Sequence, residues 1–276
     1  MTIRLVTDSA CDLPDAVARE FGIEIVPLTI RFGDDEFVDR RDLTPSQFWA
    51  RCAASSTLPS TAAPAPGQFE ATYAALANDG ATGIVVVNMS RDLSATIQSA
   101  ELAARSFTGV PVTVIDSRTV TLGLGTIVRA AARLAADGAD LETVAGLATD
   151  LAGRSKVWGA LDTLDNLKKG GRIGNARAML ASVLSIKPII EVRDGKVEEG
   201  GKQRTRSKAL AFLIDKVRSY GDVDNLAVLH ADCSDVDAFV DQLSGGRPDS
   251  VLVGQIGPVV GSHAGVGAIG VAFTTR

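Results

Sequence analysis

Short apolar segments alternate along this chain with longer segments that have the apolar spacing of amphipathic helices. The short segments predict strands at 3–7, 24–30, 84–88, 112–116, 157–161, 186–192, 226–229 and 251–256. The longer segments predict helices at 14–21, 45–54, 66–78, 93–107, 123–137, 141–152, 176–182, 207–219 and 235–243. Strands that alternate with helices in this way predict an α/β fold with mainly parallel sheets covered by helices.

A change in this pattern near residues 155–160 indicates two lobes. Two alanine-rich helices at 123–137 and 141–152 follow each other almost directly before this point, and the segment at 161–180 begins a second α/β unit after it. We therefore predict an N-terminal α/β lobe at 1–156 and a C-terminal α/β lobe at 157–276. Clefts between lobes commonly hold ligands, so we expect the ligand site between or beside the two lobes.

The composition disfavours several classes of protein. The chain has 46% hydrophobic and 22% charged residues, as is ordinary for a soluble globular protein. Its formal net charge of −5 disfavours a nucleic-acid partner. No apolar run approaches the roughly 18 residues of a membrane span, and the N-terminus lacks the pattern of a secretion signal. We therefore expect a cytoplasmic protein with no integral membrane segment.

The cysteines and histidines give little reason to expect a metal site. Cys11, Cys52 and Cys233 are scattered along the sequence, and the only histidines are His230 and His263. Disulfide frameworks and zinc sites need paired or clustered ligands. We expect neither here.

One glycine-rich segment, 257–270, contains His263. Glycine lets other atoms approach the backbone closely, and a histidine held there can meet a buried acid and carry a proton near neutral pH. Gly265, Gly267 and Gly270 match the dinucleotide pattern G-x-G-x-x-G, which requires a following helix. The residues that follow predict a strand instead, and the glycines at 195–200 lack the lysine of a phosphate loop. We therefore expect no nucleotide cofactor.

Four polar residues stand at the ends of predicted elements, beside small residues or proline: Thr61, Ser94, Arg172 and His263. Together they offer two hydroxyls, a guanidinium and an imidazole, which suit a carboxylate or a phosphate. Each also has a simpler interpretation. On this interpretation Thr61 is a turn residue and Ser94 is a helix cap. Arg172 is then a surface cation, and His263 is a core histidine. The residue types alone do not bring the four together in space.

The same segments resemble the DegV family almost from end to end. The most specific matches are LDTLDNLKKGGRI at 161–173 and IKPII at 186–190, and TDSACDLP at 7–14, IDSRTVTLGLG at 115–125 and GSHAGVGAIG at 261–270 also match. The family's T-S-Q-P turn corresponds to residues 61–64, and its S-x-x-L-S-G-T segment corresponds to residues 90–96. The chain departs from the family pattern at four positions, which are Ala62, Ala63, Ala95 and Val266.

This resemblance implies a two-lobed protein that holds a long-chain fatty acid and serves as the acyl-binding subunit of a bacterial fatty acid kinase. A separate kinase partner would supply ATP and phosphorylate the bound carboxylate, and the acyl phosphate would feed phospholipid synthesis. The family pattern further implies that Thr61, Ser94 and His263 hold the carboxylate, with Arg172 nearby. The chain would then be a lipid-binding subunit without a cofactor or catalytic residue of its own.

Such a ligand needs an apolar tunnel with polar groups at one end. Burying a tail of ~14 methylenes gains roughly 11 kcal/mol, whereas a buried carboxylate without partners costs several kcal/mol. The apolar segments 176–184, 186–190 and 122–128 are candidates for the wall.

A basic strip at 202–206 contains Lys202, Arg204 and Arg206. It is either a solvated strand end or a docking patch for the kinase partner.

Two other functions remain open from the residues alone. In the first, the chain is a hydrolase or acyltransferase in which Ser94 is the nucleophile and His263 is the base. In the other, Arg172 and the glycines bind a sugar phosphate or another small anion.

Overall fold

The computed structural model describes residues 2–55, 57–181 and 186–276. The strands are β1 (Ile3–Asp8), β2 (Glu24–Val26), β3 (Thr29–Phe32), β4 (Asp35–Val38), β5 (Ser60–Ala62), β6 (Gly83–Asn88), β7 (Val112–Asp116), β8 (Ser155–Ala160), β9 (Lys187–Arg193), β10 (Lys196–Gln203), β11 (Val223–His230), β12 (Leu252–Gln255) and β13 (Ile269–Thr275). The helices are α1 (Asp15–Glu20), α2 (Pro45–Ala54), α3 (Pro66–Asn78), α4 (Thr96–Ser106), α5 (Leu122–Ala136), α6 (Leu141–Arg154), α7 (Asp165–Lys169), α8 (Arg206–Ser219), α9 (Val236–Ser244) and α10 (Pro258–Ala264).

The first sheet is parallel throughout, in the order β2-β1-β6-β7. Its central strand β6 is apolar on both faces, as is typical of a parallel strand covered on both sides. Ile84 and Val86 belong to the core that contains Phe69 of α3, whereas Val85 and Val87 belong to the core that contains Ile127 of α5. The carboxyl ends of β1, β6 and β7 meet at one edge, where α/β proteins place their ligands.

The second sheet has the order β10-β9-β8-β13-β11-β12, and only β11 and β12 run parallel within it. The α/β fold class is confirmed, but the expectation of mainly parallel strands is wrong for this sheet. Asp194 and Gly195, with φ of 51° and 82°, connect β9 to β10 through a tight turn. Two left-handed residues in succession are what a two-residue hairpin requires.

A third sheet, in the order β4-β3-β5, is antiparallel and small. The predicted strand at 24–30 is divided between this sheet and the first one. Pro27 lies at the division, and proline has no N–H to donate to a sheet ladder. Consequently β2 ends at Val26 in the parallel sheet, and β3 begins at Thr29 in the third sheet.

Most of the helices lie within a few residues of their predicted positions. The prediction at 93–107 is wrong at its start, because α4 begins at Thr96 after a turn. The prediction at 176–182 is wrong in type, because Gly174–Ala181 is a 3-10 helix; residue 182 lies outside the described residues. The sequence patterns did not predict α7 and α10.

Helix α5 packs against both β1 of the first sheet and β11 of the second. The two sheets therefore share a core through this helix, while the division at residues 156 and 157 stays a prediction. None of the helices in the described ranges is both long and apolar enough to cross a membrane.

Candidate functional site

An apolar cavity of about 180 Å³ lies at the carboxyl edge of the parallel sheet. Met89 and Val120, which follow β6 and β7, form one side of it. The opposite side comes from the second sheet and from α10. Among the described residues, its aliphatic lining comprises Leu28, Ala63, Leu93, Ala95, Leu167, Ile190, Val192, Val197, Val259, Val260 and Ala264, besides Met89 and Val120.

This cavity continues inward and outward. A second apolar cavity of about 60 Å³ shares the lining residues Val120, Ile190, Val192, Val260 and Ala264 with it. We call the two cavities together the apolar channel. A wider cavity of about 540 Å³, which we call the mouth, shares Thr61, Arg172 and His263 with the channel. A polar boundary thus separates the mouth from an apolar interior.

The structure brings the four predicted polar residues together. Thr61, Ser94, Arg172 and His263 all line the outer part of the channel, and we call these four the polar collar. Three segments distant in sequence, β5, the turn before α4 and the end of α7, position three of them beside α10. Their role toward a carboxylate stays a prediction, whereas their convergence at one end of an apolar cavity is a feature of the fold.

His263 lies on α10, not in a loop. Its Nε2 is 3.3 Å from Thr61 Oγ1, and its Nδ1 is buried without a hydrogen-bond partner in the described part of the chain. A Cβ at Gly170 would overlap this Nδ1, so only glycine lets α7 end so close to the ring. Burial and, to a lesser extent, the charge of Arg172 lower the pKa of His263 to about 4. The imidazole is therefore neutral in the free chain at neutral pH.

Ser94 lies in the turn that connects β6 to α4. Its Oγ is 2.8 Å from Thr96 Oγ1 and accepts a hydrogen bond from the Thr96 amide at 3.3 Å. The neighbouring Ser90 donates to the carbonyl oxygen of Gly195 at 2.8 Å and so ties this turn to the β9–β10 hairpin. Ser94 therefore lines the cavity, whereas its interpretation as a helix cap is wrong, because Ala95 is the N-cap of α4 and no side chain among the described residues caps that helix.

Arg172 holds two segments of the collar together. Its Nε donates to the carbonyl oxygen of Leu93 at 3.1 Å, and its Nη1 donates to that of Gly170 at 2.6 Å. Its Nη2 has no hydrogen bond within the described residues, which leaves donors of a guanidinium at the channel entrance.

The hydrolase alternative lacks its central contact. Ser94 is hydrogen-bonded to Thr96, whereas His263 approaches Thr61. A serine nucleophile needs its base within hydrogen-bond reach, and the base needs a group that orients it. His263 Nδ1 has no such group among the described residues. The geometry therefore favours binding over nucleophilic catalysis.

The wall of the channel agrees only partly with the sequence candidates. Ile190, from 186–190, lies in the wall, but 122–128 contributes nothing to the channel and Val120 lies there instead. Residues 176–179 are also absent from the wall, and the side chains of 180–184 lie outside the part of the chain that the structure describes. The patterns missed Val259, Val260 and Ala264 of α10. A proline at the first helical position, Pro258, was the one signal for this helix.

The basic strip at 202–206 is only partly exposed. Arg206 donates to both carboxylate oxygens of Asp235 at 2.9 Å and to the carbonyl oxygen of Gly267. Its charge is therefore compensated within the fold. Lys202 and Arg204 are exposed.

Comparison with known proteins identifies the family of this chain. A family model described as "Uncharacterised protein, DegV family" matches residues 2–276. The DegV domain-containing protein of Deinococcus radiodurans is 38% identical over 279 residues, which cover 99% of this chain and 98% of that protein.

Solved structures show the same fold. The fatty-acid-binding DegV family protein of Thermus thermophilus superposes with a TM-score of 0.91 at 33% identity, over 100% of both chains. DegV of Bacillus subtilis, a fatty acid binding protein, superposes with a TM-score of 0.87 at 25% identity, again over 100% of both chains. This chain belongs to the DegV family.

Proposed function

We propose that this chain binds a long-chain fatty acid, with its carboxylate in the polar collar and its tail in the apolar channel. The observation that carries the proposal is that Thr61, Ser94, Arg172 and His263 line a cavity whose other walls are aliphatic and which adjoins a second apolar cavity. The fatty acid binding of the T. thermophilus relative supports it.

The two ends of the ligand place different demands on the site. The tail supplies most of the affinity, because each buried methylene contributes about 0.8 kcal/mol. It does not fix which end enters first, since the channel wall is apolar along its length. The collar provides that orientation, because hydroxyl, imidazole and guanidinium donors offset the cost of burying a carboxylate.

We further propose that the chain presents this carboxylate to a separate ATP-dependent kinase. The mouth leaves the collar open to the outside of the channel, so that a partner could reach a carboxylate oxygen there. Uncharged hydroxyls from Thr61 and Ser94 orient the oxygens while leaving their electron density available for attack on a phosphoryl group. The chain would act in the cytoplasm as a substrate subunit, and its acyl phosphate would enter phospholipid synthesis.

The ligand itself gives the first test. Protein purified without detergent and then denatured is expected to release intact long-chain fatty acid, detected by mass spectrometry in about equimolar amount. Ser94→Ala is expected to retain less fatty acid at equal folding, because the buried carboxylate loses one donor, a loss of roughly 1–3 kcal/mol. Ser99→Ala, a serine of α4 outside the channel lining, is the matched control. Absence of any lipid, together with no binding of added palmitate, would contradict the proposal.

The basic strip gives a separate test of partner docking. Reversing charge in the double variant Lys202→Glu and Arg204→Glu is expected to slow acyl-phosphate formation by the kinase about tenfold or more, with fatty acid affinity unchanged. Arg206 is left in place because its contacts with Asp235 support the fold. The double variant Arg218→Glu and Arg247→Glu, which reverses two exposed charges outside the strip, is the control with the same change in net charge. An equal effect of both changes would mean that only net charge matters.

A further inference from the structure

A buried carboxylate lies behind α10, outside the channel. Asp12 is only 5% exposed. Its Oδ2 accepts a hydrogen bond from Thr121 Oγ1 at 2.6 Å, and its Oδ1 accepts one from the amide of Gly257 at 3.0 Å. These two bonds join the turn after β1, the start of α5 and the residue immediately before α10.

The backbone at this junction is strained. Asp12 has φ of 50°, and Thr121 has φ of 53° with ψ of −143°. Aspartate adopts the left-handed region of Asp12 more readily than most residues, whereas the values of Thr121 are unusual for a residue with a branched Cβ and persist only where the surrounding structure imposes them. A Cβ at Gly257 would lie 2.8 Å from Asp12 Oδ1. The contact between Asp12 and Gly257 therefore depends on a glycine at that position.

Helix α10 connects this junction to the polar collar. It begins at Pro258, directly after Gly257, and carries His263 in its last turn. Ser262 Oγ donates to the carbonyl oxygen of Pro258 at 2.7 Å, and a Cβ at Gly261 would lie 2.7 Å from the rings of Phe48 and Trp49. Because α10 is short and closely packed, we expect a displacement of its first residue to displace His263 as well.

We infer that Asp12 is a positioning residue for ligand binding: its carboxylate fixes the start of α10 and thereby holds His263 against Thr61 and Gly170. This inference rests on the proposed function for its consequence in binding, but the contact itself can be tested without a ligand.

The ionisation of Asp12 affects the stability of the fold. Burial raises the pKa of Asp12 to about 7, the nearby Asp39 acts in the same direction, and Arg40 and the two hydrogen bonds oppose it. Because this folded-state pKa is raised, the folded chain binds the proton more tightly than the unfolded chain. Stability is therefore lost as the pH rises through about 7. A neutral side chain of the same shape should make the fold more stable above neutral pH.

The experiment uses the full chain and its two histidines. The titration of each imidazole is followed by NMR in the wild type, Asp12→Asn, Asp12→Ala and Gly257→Ala, with His230 as the internal reference. Asp12→Asn is expected to melt at a higher temperature than the wild type at about pH 8. Asp12→Ala and Gly257→Ala break the same contact from its two sides. Both are expected to raise the pKa of His263 from about 4 toward 6.5, since a displaced ring is less buried.

Binding of radiolabelled palmitate provides the functional readout. Asp12→Ala and Gly257→Ala are expected to weaken binding about tenfold, because two donors of the collar lose their alignment. Thr126→Val removes a buried hydroxyl from the same helix as Thr121 but does not touch Asp12, and it should leave binding and the His263 titration unchanged.

Two outcomes separate the hypotheses. If the variants lower the melting temperature but leave the titration of His263 and palmitate binding as in the wild type, Asp12 is structural only and the inference is wrong. If the wild type binds no palmitate but the variants still raise the pKa of His263, the positioning role stands and the proposed function fails. Where Asp12→Ala does not fold, Gly257→Ala gives the decision, because its Cβ displaces only the end of one side chain.

Discussion

Replacing Ala264 by phenylalanine is expected to abolish the binding of long-chain fatty acids while the protein stays folded. Ala264 is half-buried on α10 and lines both cavities of the apolar channel. A ring placed there closes the passage between the collar and the deeper cavity. Excluding about six methylenes would remove about 5 kcal/mol of burial, or more than a thousandfold in affinity. Binding of palmitate and stearate, measured by titration calorimetry, checks this result.

Chain length makes this prediction specific. A short acid such as hexanoate has no tail to place beyond residue 264, so its weak affinity should be nearly unchanged in the variant. Val266→Phe is the control, because Val266 is 55% exposed and lies outside the channel. If Ala264→Phe retained palmitate as well as Val266→Phe does, the tail would have to lie elsewhere and the channel would not be the binding site.

The two central strands of the first sheet, β1 and β6, could be predicted from the sequence because they are buried on both faces. The continuous apolar run of β6 has no competing interpretation as a surface element. The strand β10 was not predicted because it has no apolar run: Glu198, Glu199 and Lys202 lie along it, and only some of its positions are buried. Asp194 and Gly195 were the available sign of a hairpin, and with it the antiparallel direction of the second sheet would have followed.

The composition of the collar could be predicted, but its geometry could not. Thr61 and His263 are 202 positions apart in sequence, and their 3.3 Å approach depends on packing between elements. The close contact between Gly170 and the His263 ring depends on where α7 ends. The residue types indicate which groups suit a carboxylate, but only the fold brings these groups together at the end of a cavity.

Fatty acid binding is expected to be coupled to proton uptake by His263. The pKa of this imidazole is lowered to about 4 in the free chain, and a carboxylate in the collar favours its charged form. The pKa is therefore expected to rise on binding, and at pH values between the free and the bound pKa the complex would hold a proton that the free protein lacks. By linkage, affinity should increase as the pH falls from about 8 to about 5.5.

The stability of the free protein should change with pH in the opposite direction to the affinity, and so decrease as the pH falls. Because the folded-state pKa of His263 lies below the ordinary value of 6.5, the unfolded chain binds more protons between these values. This contribution to stability is present above about 6.5 and is lost as the pH falls toward about 4. Bound fatty acid should oppose that loss, and thermal melts across this range would show it.

His263→Gln tests the coupling directly. The variant keeps a donor but cannot take up a proton, so it should lose the pH dependence of binding. Affinity at neutral pH should fall about 10- to 100-fold, since breaking a charge-assisted hydrogen bond costs roughly 1.5–3 kcal/mol. Calorimetry in two buffers of different ionisation enthalpy measures the protons taken up.

The other groups that titrate in this range remain in the variant. Asp12 and Asp39, with pKa values of about 7 and about 6, line a different cavity and are unchanged by His263→Gln. His230→Gln removes the second histidine, which lies outside the channel lining, and should leave proton uptake intact. If proton uptake persists in His263→Gln, the coupling belongs to these carboxyl groups. The His263 imidazole then takes no part in binding the carboxylate of the fatty acid.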